Sequence, residues 1–521
     1  MSTKSYQDAI EHLNSLQSNA ATLEAVRASG GRLSQFAIPE MLEYLERIGY
    51  TPSQLNSLNV IHIAGTKGKG STSAFVDSIL RHAKPEWKIG IFIFNANTSE
   101  YQHTTGLYTS PHLIAVRERI RINGVPLSEG DFAKFFFDVW DRLKSNNTSR
   151  VPTTPPMPGY FRFLTLMAFH VFSELKVDAT VLEVGVGGTY DSTNIVPKPV
   201  VTGITALGID HVQVLGSTLP EIAWQKAGIF KEGAVAFSVN QQPEALQVLE
   251  ERSKELKVRS PRSNNLICIF SSLTGLAGAH QAQNASLAIE LSKAFLEAKA
   301  GMSFKGSVLP QTFIEGLANA KWPGRCQTLI DDKRPNIIWH LDGAHTAESL
   351  RLCAEWFATP GVGISAEASK KVLVFNCTSG RSGESFLQTI KETIQSRLES
   401  SDNSFFDEVI FCTNVTYADG HFKGGEEHYI YFHDRSTACT DLTTKAVSPD
   451  DLKVQIALKS AWRTLSPNHP DDKVYVLPSI EHAVKTVEDI SKDLLAHVLV
   501  TGSLHLVGGV IEVAGLSDRA L

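Results

Sequence analysis

From about residue 60 onward, short runs of β-branched and aliphatic residues alternate with longer stretches whose apolar positions recur at helical spacing. Val60–Ala64, Lys88–Phe94, Ala179–Val184, Val200–Leu207 and Ala234–Val239 are mostly apolar runs of five to eight residues. Runs of this length without polar alternation predict strands buried on both faces, as in a parallel sheet. Between them, Ser71–His82 and Gly159–Leu175 predict helices. In the second, Tyr160, Phe163, Leu164, Met167, Ala168, Val171 and Leu175 share one face, while Phe161 and Phe169 fall on the other. That helix is expected to be buried nearly all round. Arg119–Val125 contains Asn123-Gly124, a pair that tolerates the positive φ of a tight hairpin turn.

The alternation restarts after Trp322-Pro323-Gly324-Arg325. Asn336–Leu341, Lys371–Asn376, Glu408–Cys412, Lys473–Leu477 and His497–Thr501 predict strands with helices between them. A Pro-Gly pair between two alternating blocks marks a turn and a junction. Two α/β domains with mostly parallel sheets are therefore expected, at about 1–322 and 323–521, which suits a chain of 521 residues. Thr413–Pro449 is polar, rich in Gly, His and Thr and without period, and predicts an insertion at about 413–449 in the second domain.

Composition narrows the classes. With 42% hydrophobic and 20% charged side chains the chain is not disordered. Its 49 basic and 55 acidic residues leave a net charge of −6, which argues against a broad nucleic-acid surface. Anionic ligands must then be met by local positive groups. The six cysteines (Cys268, Cys326, Cys353, Cys377, Cys412 and Cys439) form no C-x-x-C pair and no zinc spacing, so reduced thiols in a cytoplasmic protein are expected. Met1 to Leu13 has no apolar signal core and is not Arg-rich; a mitochondrial pool made from another start site stays open. The longest apolar stretch, Phe163–Phe172, is too short for a membrane span.

The chemistry concentrates at strand ends. Gly65-Thr66-Lys67-Gly68-Lys69-Gly70-Ser71-Thr72 directly follows the strand Val60–Ala64 and opens a helix. Glycines let backbone N–H groups wrap a phosphate, the helix N-terminus favours negative charge, and Lys69 is placed for the β- and γ-phosphates. Two positions depart from the general phosphate loop: Ile63 stands where its first glycine belongs, and Gly70 replaces a hydroxyl residue. A second set lies beyond neighbouring strands. Glu183 closes a hydrophobic strand before Val184-Gly185-Val186-Gly187-Gly188, and Asp210-His211 follows the next one. In open α/β sheets ligands bind beyond the carboxyl ends of strands, and Mg²⁺ takes oxygen ligands from one or two carboxylates there.

These motifs resemble those of folylpolyglutamate synthases of eukaryotic type, within the Mur-ligase superfamily. Besides Gly65–Thr72, the resemblance is carried by Leu107-Tyr108-Thr109-Ser110-Pro111-His112-Leu113, Leu182–Gly188, Leu207-Gly208-Ile209-Asp210-His211, Trp224-Gln225-Lys226-Ala227-Gly228-Ile229, Trp322–Arg325 and Leu341-Asp342-Gly343-Ala344-His345, over most of the chain. It implies a P-loop ATPase-like domain followed by a smaller Rossmann-like domain, with the active site between them. It further implies that Ser110, Glu183 and His211 hold two Mg²⁺ ions and that Lys226 is carbamylated. Asn284, Arg325 and Asp342 would face the nucleotide, and His345 would stand where glutamate meets the acyl phosphate. The implied activity spends ATP to add L-glutamate to the γ-carboxylate of a reduced folate, with the enzyme acting as a monomer. Dihydrofolate synthase is a near alternative, and a P-loop nucleotide switch without covalent product a distant one. Phe161-Arg162-Phe163 and Thr189 depart from the bacterial pattern of Phe-Glu-Phe and Arg, so the pterin pocket is assigned only to the Gly187–Asn194 loop.

Overall fold

The computed structural model describes residues 4–17, 36–84, 104–147, 150, 154–259, 274–304, 308–365, 367–377, 382–399, 405–417 and 452–520. The expected strand Lys88–Phe94, nearly all of the 413–449 insertion, and Cys268 and Cys439 lie outside them. Two sheets organise the rest. The first contains β1 (Val60–Ala64), β2 (Thr105–Tyr108), β3 (Ile120–Ile122), β4 (Val125–Pro126), β5 (Ala179–Glu183), β6 (Val201–Ile204) and β7 (Val235–Ser238), in the order β4-β3-β2-β5-β1-β6-β7. The strands from β2 to β7 in that order run parallel, and β3 and β4 add an antiparallel edge.

Every residue of β1 and β5 is buried because helices cover both faces of the sheet. On one face Phe136, Phe163, Phe169 and Phe172 join the helices Glu129–Ser145 and Tyr160–Glu174 into one core. On the other, Phe75, Ile79, Leu287, Phe295 and Phe313 seat helix α1 (Lys69–Ala83), helix α2 (Gln281–Ala300) and the helix Gln311–Ala318. Truncating one such fully buried phenylalanine to alanine is expected to cost about 3–5 kcal/mol. The β3–β4 turn has φ of 53° at Asn123 and 81° at Gly124, as the sequence pair predicts.

The second sheet contains β8 (Gln327–Ile330), β9 (Ile337–Leu341), β10 (Lys370–Phe375), β11 (Glu408–Cys412), β12 (Val474–Leu477) and β13 (Ala496–Thr501), in the order β12-β11-β10-β13-β9-β8. Only β8 runs antiparallel. The helices Ile480–Ile490 and α3 (Leu504–Val513) cover one face, and Ala347–Phe357, Gly383–Leu398 and Lys453–Leu465 the other. The two sheets are thus the two α/β layers that the alternating pattern predicts. The units touch closely: a Cβ at Gly508 on α3 would lie 2.0 Å from the Leu113 carbonyl. Among the described residues no helix is long and apolar enough to cross a membrane, and Cys326, Cys353, Cys377 and Cys412 are buried and form no disulfide.

Candidate active site

The carboxyl ends of β2, β5, β1 and β6 meet at one edge of the first sheet. After β1 the chain turns where a side chain cannot be held. Gly65 has φ +149° and a Cβ there would sit 1.8 Å from Thr205 Oγ1; Gly68 has φ +89° and its Cβ would meet Asn284 Oδ1 at 2.1 Å. A Cβ at Gly70 would lie 2.8 Å from Trp322 Nε1. The missing side chains therefore let α2, through Asn284, and the 322–325 segment, through Trp322, press on the loop itself. Asn284 Nδ2 donates to Gln281 Oε1 at 2.9 Å, and Gln281 Nε2 donates to Ser71 Oγ at 3.3 Å. The Thr66 and Lys67 amides donate to the Ala206 carbonyl at 2.9 and 3.0 Å, tying the loop to the end of β6. No side chain caps the start of α1, so its first amides and dipole offer an anion site.

Three ammonium groups surround this loop. Lys69 Nζ and Lys226 Nζ both donate to the Gly65 carbonyl, at 3.2 and 2.8 Å. Lys67 Nζ lies 3.7 Å from Asp210 Oδ2. Lys226, at the end of the helix Leu219–Lys226, is 3% exposed. Its burial, with the charge of Lys69 second, pulls its pKa down to about 7. The neutral amine needed to capture carbon dioxide is then well populated near neutral pH.

Glu183 ends β5 and is buried. Desolvation raises its pKa to about 7, against the opposing pull of Lys69 and the Ser110 amide, which donates to Oε2 at 3.2 Å. A buried carboxylate held by one backbone donor lacks the partners that normally stabilise such an anion. A divalent cation beside it would supply them. His211 takes a left-handed φ of 49° just beyond β6, stays exposed, and has its pKa lowered, chiefly by desolvation. Among the described residues no three His, Cys, Asp or Glu side chains converge on one point. The expected Mg²⁺ set has only two residues of those types plus a hydroxyl, and its oxygen-rich chemistry and the under-coordinated Glu183 fit that ion.

The facing wall belongs to the second sheet. Asp342, after β9, uses Oδ2 to accept from the Cys326 amide at 2.7 Å and Oδ1 to accept from the Ala344 amide at 2.8 Å. It thereby shapes the turn that carries His345, whose Nδ1 lies 2.9 Å from the Gly343 carbonyl. Arg325 Nη1 donates to the Gly324 carbonyl at 3.0 Å. The two walls sense each other electrostatically: Arg325 acts on Glu183 and Lys67, Glu348 on Lys67, and His345 on Asp210. Thr109, Pro111, His112, Trp322, Pro323 and Arg325 line a cavity of about 20 Å³ at the junction.

The structure thus brings Gly65–Thr72, Asn284 and Lys226 into one contact set, joins Ser110 to Glu183, and puts Arg325, Asp342 and His345 opposite. Two further residues complete the site: Trp322, from the junction motif, and Asp191, whose role has no signal in the sequence. Trp322 packs on Gly70 while Arg121 stacks over its ring at 5.4 Å. Asp191 accepts from the Val186 amide at 3.0 Å and from the Thr193 amide and hydroxyl at 3.0 and 2.6 Å, so it pins the loop after Glu183.

No family model matches the chain. It is 42% identical over 522 aligned residues to folylpolyglutamate synthase of Saccharomyces cerevisiae (strain FostersO), covering 98% of this chain and 87% of that one. The strain ATCC 204508 / S288c protein of the same name matches to the same extent. Among solved structures, Mycobacterium tuberculosis folylpolyglutamate synthase complexed with ADP and AMPPCP superposes with a TM-score of 0.64 at 24% identity, covering 92% of this chain and 95% of that one. An FPGS–AMPPCP–folate complex gives 0.62 at 19% identity, covering 98% and 99%. At such identities the structural likeness concerns the fold.

Proposed function

The chain belongs to the folylpolyglutamate synthase family and is an ATP-dependent ligase, and on that premise we propose how its residues carry the reaction. The acceptor is a reduced folate and the incoming amine is L-glutamate; a relative of this fold is solved with AMPPCP and folate together. The observation that carries the site assignment is the convergence of Lys69, Lys226 and Lys67 on a glycine loop that ends in an uncapped helix.

The loop amides and Lys69 grip the β- and γ-phosphates of ATP, with Asn284, Arg325 and Asp342 on the nucleotide side. The γ-phosphoryl group passes to the terminal γ-carboxylate of the folate, which is otherwise an anion and a poor acceptor for an amine. Ser110, Glu183 and His211 would hold Mg²⁺, which offsets charge spreading over the phosphoryl oxygens. Lys226, whose amine burial leaves partly neutral near pH 7, adds to carbon dioxide and releases a proton to solvent; the resulting carbamate puts an anion that favours the metal where the protonated amine would repel it. The glutamate amine then attacks the acyl phosphate near His345 and phosphate departs. Closure between the unit at 1–322 and that at 323–521 keeps water from the intermediate. The protein works as a cytoplasmic monomer. Mass spectrometry of tetrahydrofolate incubated with enzyme, Mg-ATP and glutamate tests this. Products longer by whole glutamyl residues are expected, and an unchanged folate refutes it.

A further inference from the structure

Arg119 is a buried charge that the proposed reaction does not use. It precedes β3 and is 4% exposed. Its Nε donates to His112 Nδ1 at 3.0 Å, and its guanidinium lies 5.6 Å from the centre of the Tyr160 ring. Among the described residues no carboxylate forms an ion pair with it. Its neighbour Glu118 uses its oxygens on the amides of Leu113, Ile114 and Ala115, at 3.1, 2.9 and 2.7 Å. The nearby carboxylate of Glu183 acts on it only through space. A buried, unpaired guanidinium is costly to keep unless an anion arrives to meet it. Its planar fork matches a carboxylate better than any other side chain.

Position limits which anion that is. In the order β3-β2-β5-β1, Glu183 on β5 stands between the phosphate loop after β1 and Arg119 at β3. Phosphates therefore end on one side of Glu183 and Arg119 waits on the other. The Tyr160 ring lies under the guanidinium, and the next residue, Phe161, presses its ring on Gly185, where a Cβ would be 2.4 Å from Cζ. An aromatic wall thus leads from the 185–194 loop to Arg119. We infer that Arg119 docks a non-reacting carboxylate of the amino-acid kind, the α-carboxylate on the glutamyl tail of the acceptor or on incoming glutamate. Anchored there, the tail presents its γ-carboxylate toward the phosphoryl group without free rotation. The inference rests on the proposed function.

Calorimetric titration of the full chain with AMPPCP and Mg²⁺ present tests it, using tetrahydrofolate, L-glutamate and a folate analogue ending in γ-aminobutyrate, which lacks only the α-carboxylate. Arg119→Met should weaken one of the two natural ligands at least tenfold and leave AMPPCP binding within twofold. Arg119→Lys should lie between. Thermal stability should hold or rise, since an unpaired buried charge has been removed. If the folate tail is the ligand, wild type loses the same factor on the analogue and Arg119→Met loses nothing further. If glutamate is the ligand, only glutamate binding weakens. Both ligands binding within twofold of wild type to both variants, or a fall in thermal stability with no selective loss, overturns the role of Arg119. Selective loss of binding in a protein that forms no glutamylated product leaves this role standing and removes the proposed reaction instead.

Discussion

Glu183→Gln separates the electrostatics of the site from its catalysis. In the metal-free protein the Glu183 carboxyl is raised from 4.5 to about 7, a gap that corresponds to about 3 kcal/mol at 1.36 kcal/mol per pH unit. Between those values the folded protein keeps a proton that the unfolded chain has released. Stability therefore falls as pH rises through this window, and the whole penalty is present above pH 7. Glutamine has the same shape and does not titrate, so its protein lacks that fall, whatever the amide costs in its own right. Urea unfolding in EDTA at pH 5 and pH 8 measures the difference. Relative to wild type, the variant should gain about 2–3 kcal/mol between the two pH values. It should also lose turnover and the extra stability that Mg-nucleotide gives wild type. A wild-type-to-variant difference that is the same at both pH values refutes the reasoning, because Glu183 would then be an ordinary satisfied acid.

Lys69→Ala should remove turnover while the fold persists; retention of even a tenth of the activity, a loss of only about 1.4 kcal/mol, would show that another group meets the phosphates. Carbon-13 NMR with labelled bicarbonate should show a carbamate resonance at pH 8 that fades as pH falls below about 7, where the Lys226 amine is protonated, and that is missing in Lys226→Ala. A pH-independent resonance, or one that survives the substitution, assigns it elsewhere. Gly68→Ala should abolish nucleotide binding measured by calorimetry, since its Cβ meets Asn284 Oδ1 at 2.1 Å at a φ of +89°. Normal ADP affinity in that variant contradicts the loop geometry.

The readability of this chain tracks how local each signal is. β1, β5 and β11 are apolar runs closed by polar residues, so burial on both faces is visible in the residues alone. β2 hides because Thr105-Gly106 reads as a loop; its glycine is there to admit the Phe172 ring, 2.7 Å from where a Cβ would stand. β8 hides because this antiparallel edge after Pro323-Gly324 only half-buries alternate residues, giving a weak pattern over four positions. The phosphate loop shows itself because its contacts lie within eight consecutive residues. Asp191 and Arg119 do not, since their meaning comes from partners brought close by folding: the Val186 amide for one, His112 and Tyr160 for the other. Lys226 lies between these cases. Its motif is legible, but the burial that lowers its pKa arises only on folding, which also brings its Nζ to the Gly65 carbonyl 161 positions away.

The central claim is that ATP is spent to join glutamate to folate at this site. Coupled measurement of ADP release tests it most directly, with tetrahydrofolate and glutamate each added alone and then together under Mg-ATP. The account predicts sustained ADP formation only when both are present, one ADP for each glutamate incorporated, and none with dihydropteroate in place of the folate. ADP release at the same rate without glutamate, or dihydropteroate accepted as well as tetrahydrofolate, would contradict it.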